Sequence, residues 1–152
     1  MQKLFSDADK PQDAGRPLQN DREPEGPNLE ALRIMIVDDE FFVAWHLQSL
    51  LEDLGYAGCE IASDSLGAIA LAEKQDANLI LMDVNLGGEP DGVETVRRIL
   101  EVCDVKVIFI TAYTDEDNLR RIHDVKSDAP ILSKPASLEM LRSAIAGLFP
   151  PA

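Results

Sequence analysis

Residues 32–40 read LRIMIVDDE, a short apolar run carrying one arginine and stopped by three consecutive acids. A strand that is apolar along its whole length suits a sheet covered on both faces. Leu32–Val37 is therefore read as a buried strand. The same pattern returns at Leu79–Met82 before Asp83, at Val105–Ile110 before Thr111 and Ala112, and at Pro130–Leu132 before Ser133 and Lys134. Tyr56–Ala62 reads as a further strand. Between these runs the apolar spacing becomes helical. Phe41–Leu54 has apolar residues at 42, 43, 47, 50, 51 and 54, and Gly55 is placed to end it. Ser63 or Asp64 is placed to cap a helix of Leu66, Ile69, Ala70 and Leu71. Val84–Gly92 is a loop rich in Gly, Pro and Asp, and Val93–Val102 then shows Val93, Val96, Ile99 and Leu100 on one face. Thr114 is placed to cap a polar helix reaching about Val125, and Ser137 to cap Leu138–Leu148, which stops before Pro150 and Pro151.

Five strand–helix units in alternation predict an α/β fold: a doubly wound, five-stranded parallel sheet of flavodoxin-like order, with helices on both faces. We expect one domain over residues 31–150. Residues 1–30 differ. Pro11, Pro17, Pro24 and Pro27 interrupt any period, and large apolar residues are sparse. Such a segment cannot bury enough surface to offset its ordering entropy, so a disordered arm is expected; a partner-binding tail or a vector-derived leader are the alternatives.

Composition narrows the function classes. Net charge is −14 over 152 residues, a surface that repels nucleic-acid phosphates. No run approaches a membrane span, and Met1–Lys10 lacks the apolar segment of a signal peptide, which points to the cytoplasm. Cys59 and Cys103 are far apart and form no metal-binding pair, so both read as small buried apolar residues.

In this architecture ligands bind beyond the carboxyl ends of the strands. The residues standing there are Asp38, Asp39 and Glu40, then Asp83, then Thr111 and Ala112, then Ser133 and Lys134. Taken singly, each has an ordinary reading as a helix cap, a turn residue or a common dipeptide. Together they deliver acid, acid, hydroxyl and ammonium to one sheet edge. Clustered carboxylates need a counter-charge, and an all-oxygen ligand set with room for water favours Mg²⁺. Asp83 could then take up a phosphoryl group, with Lys134 neutralising its oxygens and Thr111 donating a hydrogen bond.

The motifs IMIVDDE, LILMDVNLGG, Asp91–Gly92, VIFITAY and ILSKPASLEML resemble those of the receiver domain of bacterial two-component response regulators, from about Leu32 to Phe149. The resemblance implies Asp83 as phosphoacceptor. It implies Asp39, Asp83 and the Asn85 backbone carbonyl as direct Mg²⁺ ligands, with Asp38 holding the metal through water. It further implies Thr111 as switch hydroxyl, with Ala112 beside it, and Lys134 as the phosphate-binding ammonium. One position departs: receivers usually carry Tyr or Phe three residues before the lysine, where this chain has Ile131. That puts the usual threonine–aromatic coupling in doubt and leaves Tyr113 as an alternative signalling residue. FITAYT at Phe109–Thr114 partly matches the F-A-T-G-hydrophobic-Y motif of an atypical subgroup, whose members are often stand-alone or stress-response regulators.

The resemblance implies a partner that donates phosphate, either a sensor histidine kinase or a histidine phosphotransfer protein. No effector domain is expected past the last helix, so output is expected through an unidentified downstream protein, or through relay of phosphate, with a homodimer left open. Arg120, Arg121, Lys126 and Leu138 are candidate output contacts, and His123 reads as a surface residue. The chain is not expected to be an enzyme in the ordinary sense, although it would assist its own phosphorylation and dephosphorylation. Two other classes compete. An aspartyl hydrolase often has a second Asp two residues after its nucleophile, where this chain has Asn85. A phosphorylation-independent interaction module is argued against by the intact acid pair, Asp83, Thr111 and Lys134.

Overall fold

The computed structural model describes residues 32–74, 77–112 and 115–150. The arm expected at residues 1–30, Tyr113 and Thr114 lie outside them. The elements alternate as β1 (Ile34–Val37), α1 (Phe41–Asp53), β2 (Glu60–Ala62), α2 (Ser65–Lys74), β3 (Leu79–Asp83), α3 (Gly92–Leu100), β4 (Lys106–Thr111), α4 (Glu116–Val125), β5 (Ile131–Ser133) and α5 (Leu138–Leu148). One sheet runs in the order β2-β1-β3-β4-β5, and every neighbouring pair is parallel. This is the expected doubly wound fold.

Strand side chains alternate between faces, so each apolar run feeds two cores. Met35, Val37, Ile80, Met82, Val107 and Phe109 pack with Ala68, Val96, Ile99 and Ile122 from α2, α3 and α4. Ile34, Ile36, Leu79, Leu81, Ile108 and Ile110 pack on the other face with Leu47 and Leu51 of α1 and Leu141 and Ile145 of α5. Burying an aliphatic side chain of this size contributes about 1.5–3 kcal/mol, which is why unbroken runs are required on both sides.

Several boundaries and faces differ from the sequence reading. β2 begins at Glu60 rather than Tyr56, because Gly55 (φ 104°) turns the chain and the Tyr56 amide bonds back to the Leu51 carbonyl. Asp115 caps α4 by accepting from the Asn118 amide. Asp64 accepts from the Gly67 amide at the start of α2, and Ser137 caps α5 as expected. Phe42 and Leu66 were counted with apolar faces, yet they are 76 % and 79 % exposed. The buried faces are Ala44, Leu47 and Leu51 on α1 and Ser65, Ala68 and Ala72 on α2. Both cysteines are free and half-buried. Burial, with Glu52 nearby, pushes the Cys59 thiol up to about 11, which leaves it a poor nucleophile at neutral pH.

Candidate functional site

The strand order reverses between β1 and β3, and the crevice of a doubly wound sheet opens beyond the carboxyl ends at such a point. β1 runs into Asp38 and Asp39, and β3 ends on Asp83. Parallel pairing in register (Val37 opposite Met82) brings these acids side by side. Each of Asp38, Asp39 and Asp83 offers a carboxylate oxygen within 4.8 Å of the others. Asp38 and Asp83 are only 2 % and 4 % exposed, whereas Asp39 faces outward.

β5 supplies the counter-charge. Lys134, the residue after β5, sets its Nζ 3.1 Å from Asp38 Oδ2 and 3.3 Å from Asp83 Oδ1. The Lys134 amide donates to the Thr111 carbonyl at 3.0 Å, tying the ends of β4 and β5 together. Thr111 is buried at the end of β4, Ala112 is exposed beside it, and Ile131 is half-buried on the core opposite Phe109. The Asn85 amide donates to Asp83 Oδ1 at 3.2 Å, and the Glu40 amide donates to Asp38 Oδ1 at 2.8 Å.

Electrostatics follow from this packing. Burial pushes the Asp83 carboxyl up to about 6, and the Asp38 charge pushes the same way against the opposing pull of Lys134. Burial alone would lower the Lys134 ammonium, but hydrogen bonding and attraction from Asp38 and Asp83 raise it above its ordinary range. Three carboxylates and one ammonium, all ionised, sum to −2. A divalent hard cation matches that deficit, and the donor set is oxygen throughout. The surrounding backbone is shaped to leave room. Gly87 (φ +78°) sits so close that an added Cβ would lie 2.8 Å from Asp39 Oδ2. An added Cβ on Gly92 would lie 2.0 Å from the Asp83 carbonyl oxygen, so α3 can begin here only with glycine.

The structure thus brings together Asp38, Asp39, Asp83 and Lys134, with Asn85 and Thr111 bonded to members of the group. Three features escaped the sequence reading. Phe41, Phe42 and Trp45 are 70 %, 76 % and 55 % exposed on α1, immediately after the acid run. A cavity of about 390 Å³ is lined by Phe42 of this group together with His46, Leu47, Ile110, Lys134 and Pro135. Arg121 pairs with Asp91 rather than facing solvent alone. The Asp91–Gly92 motif was the one visible signal for the last.

Residues 34–146 match the response regulator receiver domain family, and the chain belongs to it. Members of this family act in two-component signalling and partner with histidine kinases or phosphotransfer proteins; they are signalling proteins rather than ordinary enzymes. The chain is 36 % identical over 86 residues to the phyllosphere-induced regulator PhyR of Methylorubrum extorquens, covering 56 % of this chain and 32 % of PhyR. It is 30 % identical over 125 residues to the transcriptional regulatory protein PdtaR of Mycobacterium tuberculosis, covering 79 % and 60 %. The chain therefore spans from about a third to three-fifths of these relatives' length. A CheY-like receiver domain protein from Methanospirillum hungatei superposes with a TM-score of 0.70 at 28 % identity, over 77 % of this chain and 92 % of that one. No described helix is long and apolar enough to cross a membrane.

Proposed function

We propose that this chain is a cytoplasmic, Mg²⁺-dependent phosphorylation switch whose phosphoacceptor is Asp83. The observation that carries the reading is the buried Asp83 carboxylate, held between Asp38 and the Lys134 ammonium at the topological switch point. Asp39, Asp83 and the Asn85 carbonyl would hold the ion, with Asp38 acting through water. A bound Mg²⁺ would supply Lewis-acid neutralisation of the phosphoryl oxygens. An Asp83 carboxylate oxygen forms the bond to phosphorus while the bond from phosphorus to the donor's imidazole nitrogen breaks, that nitrogen keeping the electron pair. Lys134 then exchanges its contact with the bare carboxylate for one with a phosphoryl oxygen. Thr111, at the end of the neighbouring strand, supplies a hydroxyl hydrogen bond.

The donor is a protein carrying phosphohistidine, either a sensor kinase or a phosphotransfer protein. Asp83 lies at the floor of the cleft, so the donor must cover its rim, and the exposed Phe41, Phe42 and Trp45 supply apolar contact there. Output passes to another protein by contact. The test is intact mass after incubation with Mg²⁺ and acetyl phosphate, with Asp83→Asn and chelated samples as controls. Addition of one phosphoryl group, lost in both controls, is expected. No phosphoryl addition from acetyl phosphate or candidate kinases, together with no amide-shift change on adding the non-covalent mimic beryllofluoride, would instead favour a phosphorylation-independent binding module.

A further inference from the structure

α4 is the most lightly anchored helix of the sheet's two layers. It buries Ile122 alone, whereas each of the other four helices buries three residues or more. The residue before Ile122 makes a second attachment. Arg121 reaches from α4 to the start of α3, where Nη1 lies 2.8 Å from Asp91 Oδ2 and Nη2 donates to Asp91 Oδ1 at 2.9 Å. This is a two-pronged guanidinium–carboxylate pair, the geometry that fixes orientation as well as distance. The same Asp91 caps α3 by accepting from the Glu94 amide at 3.0 Å. Burial alone would push the Asp91 carboxyl up, yet the Arg121 guanidinium and the Glu94 amide hold it below the usual range. The next residue, Gly92, donates its amide to the Val84 carbonyl at 2.7 Å and packs against the Asp83 carbonyl with no room for a Cβ. A continuous chain of contacts thus runs from α4 through Asp91 and Gly92 to the backbone that sets Asp83 and leads into Asn85.

We propose that the Arg121–Asp91 pair is a latch that positions the cation site and couples it to the docking of α4. The latch rests on the reading of the acid cluster as a Mg²⁺ site. With it closed, the α3 start holds the Asp83–Asn85 backbone in place and binding finds its ligands preset. By reciprocity, Mg²⁺ binding holds α4 down by the same factor. This supplies a route from the site to α4 in a chain whose usual aromatic position is Ile131. The pair is partly exposed, 44 % for Arg121 and 24 % for Asp91, so the effect is a few-fold rather than all-or-none.

A through-space charge effect predicts the opposite sign for one variant, which makes the test decisive. Removing the Arg121 cation would by charge alone tighten Mg²⁺ binding; removing the latch loosens it. The whole chain is titrated with Mg²⁺ while backbone amides are followed by NMR, and hydrogen exchange is measured over residues 116–125 with and without the ion. Arg121→Gln and Asp91→Asn are each expected to weaken Mg²⁺ binding about twofold to fivefold, the double variant no more than either alone. Arg121→Lys recovers part of the loss. Asn still accepts at an N-cap, so Asp91→Asn keeps α3 capped. Mg²⁺ slows exchange in α4 of the wild type and no longer does so in Arg121→Gln. Unchanged or tighter Mg²⁺ binding by Arg121→Gln overturns the latch, as does an undiminished effect of Mg²⁺ on α4. If the wild type binds no Mg²⁺, the cation reading itself fails and the latch falls with it; wild-type binding with an indifferent Arg121→Gln sinks the latch alone.

Discussion

Replacing the proposed phosphoacceptor should make the metal-free protein more stable. Burial and the Asp38 charge raise the Asp83 carboxyl from 3.8 to about 6. A carboxyl whose folded pKa exceeds its unfolded value contributes stability when protonated, and that contribution is lost as pH rises from about 4 through about 6. The shift corresponds to about 3 kcal/mol at pH 7.5. Asp83 is only 4 % exposed, so solvent screening does little to reduce this figure. Asn is neutral and similar in shape, but its amide must fit beside Lys134, so Asp83→Asn should recover about 1–2 kcal/mol of it. The assay is urea unfolding in chelator, comparing midpoints at equal slope. The variant's margin should shrink by about 1.4 kcal/mol, to near zero, at pH 5, where the wild-type carboxyl is largely protonated. Saturating Mg²⁺ should raise the wild type more than the variant. A variant equally or less stable than wild type at pH 7.5 in chelator would refute the claim that an ionised Asp83 is held at a cost.

Mg²⁺ must displace the Asp83 proton, so its apparent affinity should fall about tenfold between pH 8 and pH 5, read by titration calorimetry or amide shifts; a flat profile would separate Asp83 from the ion. Gly87→Ala should cost only about 1 kcal/mol, since the Asp39 side chain it meets can swing aside, yet weaken Mg²⁺ binding measurably. Gly92→Ala has no such outlet, because the clash is with the backbone of Asp83, and a loss of about 3 kcal/mol or more in chemical denaturation is expected. Lys134→Gln should leave the folded midpoint in Mg²⁺ close to wild type while lowering phosphorylation by acetyl phosphate, measured as intact mass against time.

The strand-end residues were legible because strand periodicity and chain direction are local properties. An apolar run followed by acids names both the strand and what stands at its carboxyl end, and the parallel fold then gathers those ends without further choice. Asp38, Asp39, Asp83, Thr111 and Lys134 were accordingly readable before any coordinate. So were Gly55 as a helix stop and Ser137 as a cap, each of which acts within one turn.

What the chain alone left open depends on how each helix is rotated against the sheet. A helical spacing fixes which residues share a stripe but not which of two apolar stripes turns inward. Hence Phe42 and Leu66 share the apolar helical spacing of their neighbours yet stand exposed. The unequal burial of Asp38 and Asp39, the raised Asp83 carboxyl, and the Arg121–Asp91 pair spanning 30 positions are set by packing of distant segments. The sequence by itself determined the fold and which residues stand at the strand ends, because both follow from short-range pattern. Only the tertiary structure decided the raised Asp83 carboxyl and the link from the site to α4, because desolvation and through-space contact exist only once the layers close.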